Sequence, residues 1–336
     1  MLRRSLGSAK VVIAGSFILG AVFAACLQAE DPGPGKRLPD GAAPAKGAKA
    51  EAAGEPSKFV RVRYDDKKRP VALETAIVRY AKPGAEKDGL YVDLIGAIHI
   101  GDKAYYQQLN KDFTQYDALL YELVAPQGTR VPKQRGKNTH PVGMVQEGMT
   151  GVLDLDYQLD QIDYHQDNFV HADMSPSDFS KSMADRGESL WTMIFRMVGY
   201  GIAQQGKNPD KGMEARLLAA LFDKDRPMAL KRVMADQFED MEGSMGAFDG
   251  SDGSTIITER NKVALDVLAQ EIKAGKKHLG IFYGAGHLAD MEKRLVSDFG
   301  LRPQSVRWLT AWDLTGKKAE KKQAGSKQPV GAGSGQ

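Results

Sequence analysis

The sequence predicts an α/β fold: a mainly parallel sheet made of strand-helix-strand units, together with a helical insertion. Two nearly continuous apolar runs, at 90–99 and 279–283, have the length and composition of buried strands. Each run is followed by a segment with helical spacing and then by a further apolar run. The long segment between these units, 151–248, shows no clear strand pattern and predicts helices.

The N-terminal end resembles an export signal. Residues 1–29 place three basic residues before an apolar run that is short for a membrane-spanning helix. Three outcomes remain open: cleavage after Ala29, lipidation of Cys26 in a lipobox-like Phe-Ala-Ala-Cys segment, or retention as an uncleaved anchor. Each predicts an exported protein that is periplasmic, extracellular or attached to a membrane through its N-terminus.

The folded domain is predicted to span 58–314. The flanking segments 30–57 and 315–336 are rich in Pro, Gly, Ala and Lys without apolar periodicity, and predict a disordered linker and a disordered basic tail. Basic residues in the two ends account for the chain's net charge of +3, so the domain itself is slightly acidic. A nucleic-acid partner is therefore not expected. Because Cys26 is the only cysteine, the domain contains no disulfide and no thiol nucleophile.

The N-terminal unit places a histidine at the end of a strand. The sequence predicts a hairpin from Val71 into the apolar run that ends at His99. Asp102 is a good N-cap residue, and apolar residues then recur at helical spacing as far as Tyr116. A second buried strand follows at 118–124, in an order that favours parallel pairing.

The C-terminal unit repeats this layout. A strand at 279–283 is closed by a glycine-rich turn that ends at His287, Asp290 is placed to cap the next helix, and a strand follows at 306–311. The units align so that two G-x-x-H motifs coincide and His99 matches His287. Ligands of open parallel sheets bind beyond the carboxyl ends of the strands, so both imidazoles are expected at the functional edge.

Two charged residues are predicted to join the histidines. Glu122 interrupts a strand that should be buried, and a buried carboxylate needs a cation, a metal ion or hydrogen-bond donors. One strand-helix-strand step separates Glu122 from His99, so the two residues are predicted to lie on neighbouring strands. The alternative to a buried Glu122 is that it lies on an edge strand and faces water. Arg260 begins a predicted helix on its inward face and can neutralise Glu122 or stabilise an oxyanion, unless it forms a surface ion pair.

The insertion, at about 145–250, contains further candidates. His171 and Asp173 follow an acidic stretch whose simplest interpretation is a solvated helix face; the alternative is that these two residues line the cleft. His140 and His278 are expected at loop and surface positions. Eleven of the 13 methionines lie between Met144 and Met245, which fits an adaptable lid or an irregular core. The sequence contains no HExxH, GxSxG, P-loop or dinucleotide motif.

The ordered set of motifs resembles the TraB/GumN (PrgY, TIKI-like) family, which is grouped with the erythromycin esterase and ChaN-like proteins. The resemblance covers roughly 72–311 and rests on four segments: Gly96-Ala97-Ile98-His99, Tyr121-Glu122-Leu123, Glu259-Arg260-Asn261 and Gly284-Ala285-Gly286-His287. Animal members of that family are described as membrane-tethered metalloproteases acting on Wnt proteins, and bacterial members are linked to shutdown of peptide pheromones. The resemblance implies that His99, Glu122, Arg260 and His287 form the site, with Asn261 beside them.

These observations lead to an expected function with two alternatives. The first expectation is an exported metal-dependent hydrolase of peptide or related acyl bonds, in which His99, His287 and Glu122 bind Zn, Mn or Co. Glu122, Arg260 and Asn261 are the expected catalytic residues. The alternatives are a metal-independent, esterase-like hydrolase, and a non-catalytic protein that binds a peptide, lipid or haem.

Overall fold

The structure is a computed structural model that describes residues 59–84, 89–129, 131, 151, 153–188, 213–235 and 253–316. The predicted export signal, the linker and nearly all of the basic tail lie outside the described residues. The same holds for His140 and for residues 189–212 of the segment predicted to be helical.

A seven-stranded mixed sheet forms the centre of the protein, with the strand order β1-β2-β3-β8-β5-β7 and with β9 paired to β2. The strands of the described residues are, in chain order, β1 (Val60–Tyr64), β2 (Pro70–Ala81), β3 (Tyr91–Ala97), β4 (Ile100–Gly101), β5 (Ala118–Tyr121), β6 (Asp156–Tyr157), β7 (Phe169–His171), β8 (His278–Gly284) and β9 (Arg302–Asp313). β3, β8, β5 and β7 are parallel, whereas β2 pairs antiparallel with β1, β3 and β9. The α/β class predicted from the sequence is confirmed.

Helices pack on both faces of this sheet. Those with defined bounds are α1 (Lys103–Phe113), α2 (Gln158–Gln161), α3 (Pro176–Asp185), α4 (Met213–Leu221), α5 (Arg260–Lys273) and α6 (Leu288–Ser297). Residues 226–235 are also helical. A π-helical turn, Thr255–Glu259, leads into α5, and a 3-10 turn, Ala285–His287, leads into α6. Among the described helices, none has both the length and the apolar character needed to cross a membrane.

Alternation along the strands decides which helix each side chain contacts. Ile95 and Leu119 belong to the apolar cluster on the α1 face, whereas Leu94, Leu120 and Ile281 belong to the cluster on the α5 and α6 face. Apolar residues face both ways because the central strands are covered on both sides, as in other α/β sheets. Glu122 lies two residues after Leu120, so the alternation directs its side chain toward α5.

The strand order differs from the sequence-based prediction in one respect. Glu122 and His99 were expected on neighbouring strands, but β8 lies between β3 and β5 and pairs in parallel with both. The C-terminal unit supplies this middle strand, while its last strand, β9, pairs antiparallel with β2 instead. The physical reason is that β8 is apolar on both faces and is buried best at the centre of the sheet.

The insertion was predicted to lack strands, and this was wrong for its described part. β7 adds to the parallel sheet beside β5, and β6 pairs with β4. β6 and β7 have only two and three residues, too few for a recognisable strand period. The helices expected in the insertion are confirmed in its described part by α4 and by the helix at 226–235.

The side chains of Asp102 and Asp290, which were predicted to cap two helices, form no cap hydrogen bond. Asp102 occupies the N-cap position of α1, but its carboxylate accepts hydrogen bonds from Lys231 and from the backbone N–H of Asp313. Asp290 lies inside the first turn of α6, where its carboxylate accepts hydrogen bonds from Asn261 and Arg294. Asp102 therefore links α1 to the helix at 226–235 and to β9, and Asp290 links α6 to α5 through Asn261.

Candidate active site

Three parallel strands place the candidate residues at one edge of the sheet. His99 follows β3, Glu122 follows β5, and His287 follows β8. The register pairs Ala97 with Gly284 across β3 and β8, so the two G-x-x-H turns leave the sheet side by side. The topology therefore brings these residues together at the carboxyl ends of the strands, as predicted.

Glu122 is at the centre of the cluster. Its carboxylate accepts a hydrogen bond from Arg260 Nη2 on Oε1 at 2.7 Å and one from the backbone N–H of Gly284 on Oε2 at 2.7 Å. His287 Nε2 lies 3.5 Å from Oε1. The side chain is 9% exposed, so these contacts replace nearly all of its hydration. The alternative of an edge strand facing water is thereby excluded.

The environment keeps Glu122 ionised. Burial raises the pKa of this carboxyl, but the positive charge of Arg260, electrostatic interaction with the nearby His287 and His99 rings, and the N–H of Gly284 outweigh burial and lower it to about 2. A carboxylate with so low a pKa is a weak proton acceptor at neutral pH. Its chemistry is therefore that of a fixed negative charge or a metal ligand rather than that of a general base.

Arg260 is completely buried and is bound by two carboxylates. Its Nε and Nη2 donate to Asp173 at 2.9 and 2.6 Å, in addition to the hydrogen bond from Nη2 to Glu122. Burial lowers the pKa of Arg260, but the charges of Asp173 and Glu122 outweigh that effect and raise it well above its usual value. The expected inward orientation is confirmed, and the alternative of a surface ion pair is excluded.

His287 is oriented by Asn261. Asn261 Nδ2 donates to the carbonyl of His287 at 3.0 Å and to Asp290 at 2.9 Å, which leaves Oδ1 facing His287 Nδ1 at 2.7 Å. An amide oxygen can only accept, so Nδ1 carries the hydrogen and Nε2 faces Glu122. Asn261 therefore orients His287 through hydrogen bonds to its ring and carbonyl. Its expected place among the catalytic residues stays a prediction.

His99 is held in its neutral form. Burial lowers the pKa of the imidazole most strongly, and Arg260 lowers it further, while Glu122 and Gln158 act in the opposite direction. The carbonyl of His99 also accepts a hydrogen bond from the backbone N–H of Gln158 at 2.8 Å. A neutral imidazole at neutral pH can accept a proton or bind a metal ion.

Two residues of the insertion, Asp173 and Gln158, contact this cluster, and only Asp173 was a candidate from the sequence. Asp173 was considered as lining a cleft, but its side chain is fully buried behind Arg260. Gln158 was not singled out; its side chain is 6% exposed, interacts with His99 and donates from Nε2 to Tyr164 at 2.9 Å. It lies in a four-residue helix, and no periodic pattern marks it.

The other histidines within the described residues lie around or away from this cluster. His171 Nε2 donates to the carbonyl of Leu123, and its ring packs on Tyr121. His278, expected at the surface, begins β8 and stacks on Tyr91 with ring centroids 4.6 Å apart. Three aspartates of the acidic stretch, Asp154, Asp160 and Asp163, are exposed, as expected for a solvated segment.

The described residues contain no group of three or more His, Cys, Asp or Glu side chains arranged to hold a metal ion. The predicted ligation by His99, Glu122 and His287 stays a prediction. The separation of His287 Nε2 from Glu122 Oε1, 3.5 Å, fits two ligands of one ion, which lie roughly 3.4 Å apart when each bond is about 2.1 Å and the angle tetrahedral.

Comparison with known proteins yields no relative. No family model matches the chain, and neither the curated proteins nor the solved structures include a match. The TraB/GumN resemblance therefore continues to rest on the motifs alone.

The two motif glycines are expected to differ in their tolerance of alanine. A Cβ at Gly284 would lie 3.2 Å from Glu122 Oε2, whereas a Cβ at Gly96 would meet its nearest atom, the Ala76 carbonyl oxygen, at an ordinary 3.4 Å. Gly284→Ala must displace the carboxylate, and we expect turnover to fall at least about 10-fold. Gly96→Ala is the matched control and should retain most of the activity. Steady-state kinetics check this, and equal effects would contradict the role given to Gly284.

Glu122 should make stability depend on pH in the acid range. Because folding lowers the pKa from 4.5 to about 2, the stabilisation is fully present above pH 4.5 and is lost as pH falls toward 2. Between pH 6 and pH 3 the advantage of the wild-type chain over Glu122→Gln should shrink by about 2 kcal/mol. Urea unfolding at the two pH values measures this difference, and a constant difference would show that the carboxylate is not held ionised.

Proposed function

We propose that this chain is a hydrolase of peptide or related acyl bonds, of the TraB/GumN type. One observation carries the proposal: two imidazoles lie near a buried, ionised carboxylate, and the arginine paired with it has an Nη1 without a hydrogen-bond partner among the described residues. Such a cluster combines a means of activating water with a means of stabilising an oxyanion. Burial makes it costly to maintain for stability alone, because buried ion pairs seldom repay their desolvation.

The proposed metal-dependent form uses His99, His287 and Glu122 as ligands of Zn, Mn or Co. Three features of the site support this donor set: the neutral His99, the orientation of His287 by Asn261, and the spacing of Nε2 and Oε1. When bound, the ion would supply a water molecule of lowered pKa as the nucleophile. The low pKa of Glu122 favours its role as a ligand over the role of general base.

Arg260 would stabilise the acyl oxygen of the substrate. Its Nη1 is buried and has no hydrogen-bond partner among the described residues. An acyl oxygen gains negative charge when water adds to the carbonyl carbon, and a guanidinium donor in a dry site stabilises that charge. Glu122 and Asp173 keep the guanidinium protonated throughout.

A metal-independent form is the second candidate. The observation that favours it is that both oxygens of Glu122 already accept hydrogen bonds, from Arg260 and from Gly284. His99 would then take a proton from the attacking water and later return it to the leaving group, while Glu122 stabilises the imidazolium. The water oxygen ends on the acyl carbon, and the leaving amine or alcohol carries away the proton.

One experiment tests the proposal and separates its two forms. The purified chain is incubated with fluorogenic peptides and aryl esters, first as isolated, then after chelation, and then with Zn, Mn or Co restored. Turnover that disappears on chelation and returns with one ion supports the metal-dependent form; turnover that resists chelation supports the metal-independent form. Absence of turnover under every condition would overturn the hydrolase proposal in favour of a binding protein.

The proposed location is outside the cytoplasm, with an exported peptide or protein as substrate. This proposal rests on the predicted export signal and on possible membrane attachment at the N-terminus. N-terminal sequencing of the mature protein distinguishes cleavage after Ala29 from retention of the segment. Incorporation of a labelled fatty acid that is lost in Cys26→Ser would identify lipidation.

A further inference from the structure

Asp173 is a buried carboxylate that shares the guanidinium of Arg260 with Glu122. Its Oδ1 accepts from Arg260 Nε at 2.9 Å and from the backbone N–H of Met174 at 2.7 Å, and its Oδ2 accepts from Arg260 Nη2 at 2.6 Å. The backbone bond fixes the carboxylate, and the two bonds to one edge of the guanidinium fix the plane of Arg260.

The donors of Arg260 are divided unequally between the two carboxylates. A guanidinium has five N–H donors. Asp173 accepts from Nε and from one N–H of Nη2, and Glu122 accepts from the same Nη2 at 2.7 Å. Both N–H groups of Nη1 remain without a hydrogen-bond partner among the described residues. In the planar guanidinium, one Nη1–H is parallel to the Nη2–H that reaches Glu122, so it points into the same region beside the carboxylate.

This division depends on Asp173. Without Asp173, Arg260 could form a two-bond pair with Glu122 through Nη1 and Nη2, which is the preferred geometry of an arginine with a single carboxylate. Nη1 would then donate its hydrogen bond to Glu122 and would not be available to a substrate. We propose that Asp173 is a positioning residue: it binds the Nε and Nη2 edge of the Arg260 guanidinium, so that Nη1 stays available to the acyl oxygen of the substrate. The proposal rests on the hydrolase function and assigns a functional role to the insertion, since Asp173 follows β7.

The structure offers a matched control elsewhere in the fold. Asp93 is 2% exposed and accepts two hydrogen bonds from Arg79, each at 2.8 Å. It lies near the start of β3, away from the carboxyl ends of the strands. Asp93→Asn therefore removes the charge of another buried aspartate that accepts two hydrogen bonds from one arginine, here Arg79 with 43% of its side chain exposed, without touching Arg260. It reports the general cost of losing such a carboxylate.

The test compares Asp173→Asn with Asp93→Asn in the full chain. We expect kcat on the best-cleaved fluorogenic peptide to fall about 100-fold in Asp173→Asn, with KM changed less than threefold, as for loss of one oxyanion donor. Asp93→Asn should retain kcat within about threefold. Comparable losses of kcat in the two variants, or a wild-type kcat in Asp173→Asn, would overturn the proposal.

A second measurement does not require a substrate. In spectra of arginine-labelled chain, the Nε–H and Nη–H signals of Arg260, assigned through Arg260→Lys, should be resolved because the guanidinium cannot rotate. In Asp173→Asn the Nη signals should broaden or move, whereas in Asp93→Asn they should not. Unchanged Arg260 signals in Asp173→Asn would overturn the positioning role. If no peptide is cleaved by the wild-type chain, the hydrolase proposal fails, and the spectra still decide the role of Asp173.

Discussion

Arg260→Leu is expected to destabilise the fold by about 3–5 kcal/mol, because it removes the cation from between two buried carboxylates. Glu122 and Asp173 have side-chain exposures of 9% and 0%, so water cannot replace the lost guanidinium. Leucine also lacks the three donated hydrogen bonds that these carboxylates now accept. Urea unfolding of the variant and the wild-type chain at pH 7 measures the difference.

Lowering the pH should reduce the loss of stability caused by Arg260→Leu. When Glu122 becomes protonated, the variant no longer buries its uncompensated charge, and the stability deficit of the variant relative to the wild-type chain should narrow. Arg294→Leu is a suitable control, because its ion pair with Asp290 lies closer to solvent, with side-chain exposures of 24% and 20%. We expect that change to cost no more than about 1 kcal/mol. A similar cost for both arginines would contradict the central role of the buried cluster.

His99→Ala and His287→Ala are each expected to lower turnover at least about 1000-fold, within the range found for loss of a residue that activates water. In the metal-dependent form, each change should also lower the bound metal measured by elemental analysis below one ion per chain. The two effects arise from one centre, so the double variant should be little worse than either single variant.

His278→Ala is the matched control for the histidine variants. His278 begins the same strand that His287 follows, at the opposite end, where it stacks on Tyr91. It should therefore change turnover less than about threefold. His287→Ala also removes the donor to Asn261 Oδ1, at a cost of about 1–3 kcal/mol for a buried unsatisfied acceptor, so near-ultraviolet circular dichroism must accompany the kinetics. Full activity of either site variant would end the proposal.

The four motif residues could be predicted because their signals are local. His99 and His287 each follow an apolar run and a glycine, Glu122 interrupts a buried strand, and Arg260 lies on the apolar face of a helix. Alternation and helical period alone direct Glu122 and Arg260 toward each other across the space between β5 and α5.

The supporting residues could not be predicted in the same way. Asp173 and Gln158 are near elements of three and four residues, in which no period can be recognised. Their polar side chains look solvated in sequence, and only long-range contacts with Arg260 and His99 explain their burial. The position of β8 was missed for a related reason, because strand order depends on pairing between distant segments.

The position of β8 also determines when the candidate site can form. β8 follows β5 by more than 150 residues, yet it supplies the hydrogen bonds for one side of both β3 and β5. Until it arrives, each of these strands has an unsatisfied edge, and closing so long a loop slows folding. A nascent chain that ends before β8 thus contains His99 and Glu122 but lacks both the strand that joins β3 to β5 and His287, so the candidate site cannot be complete.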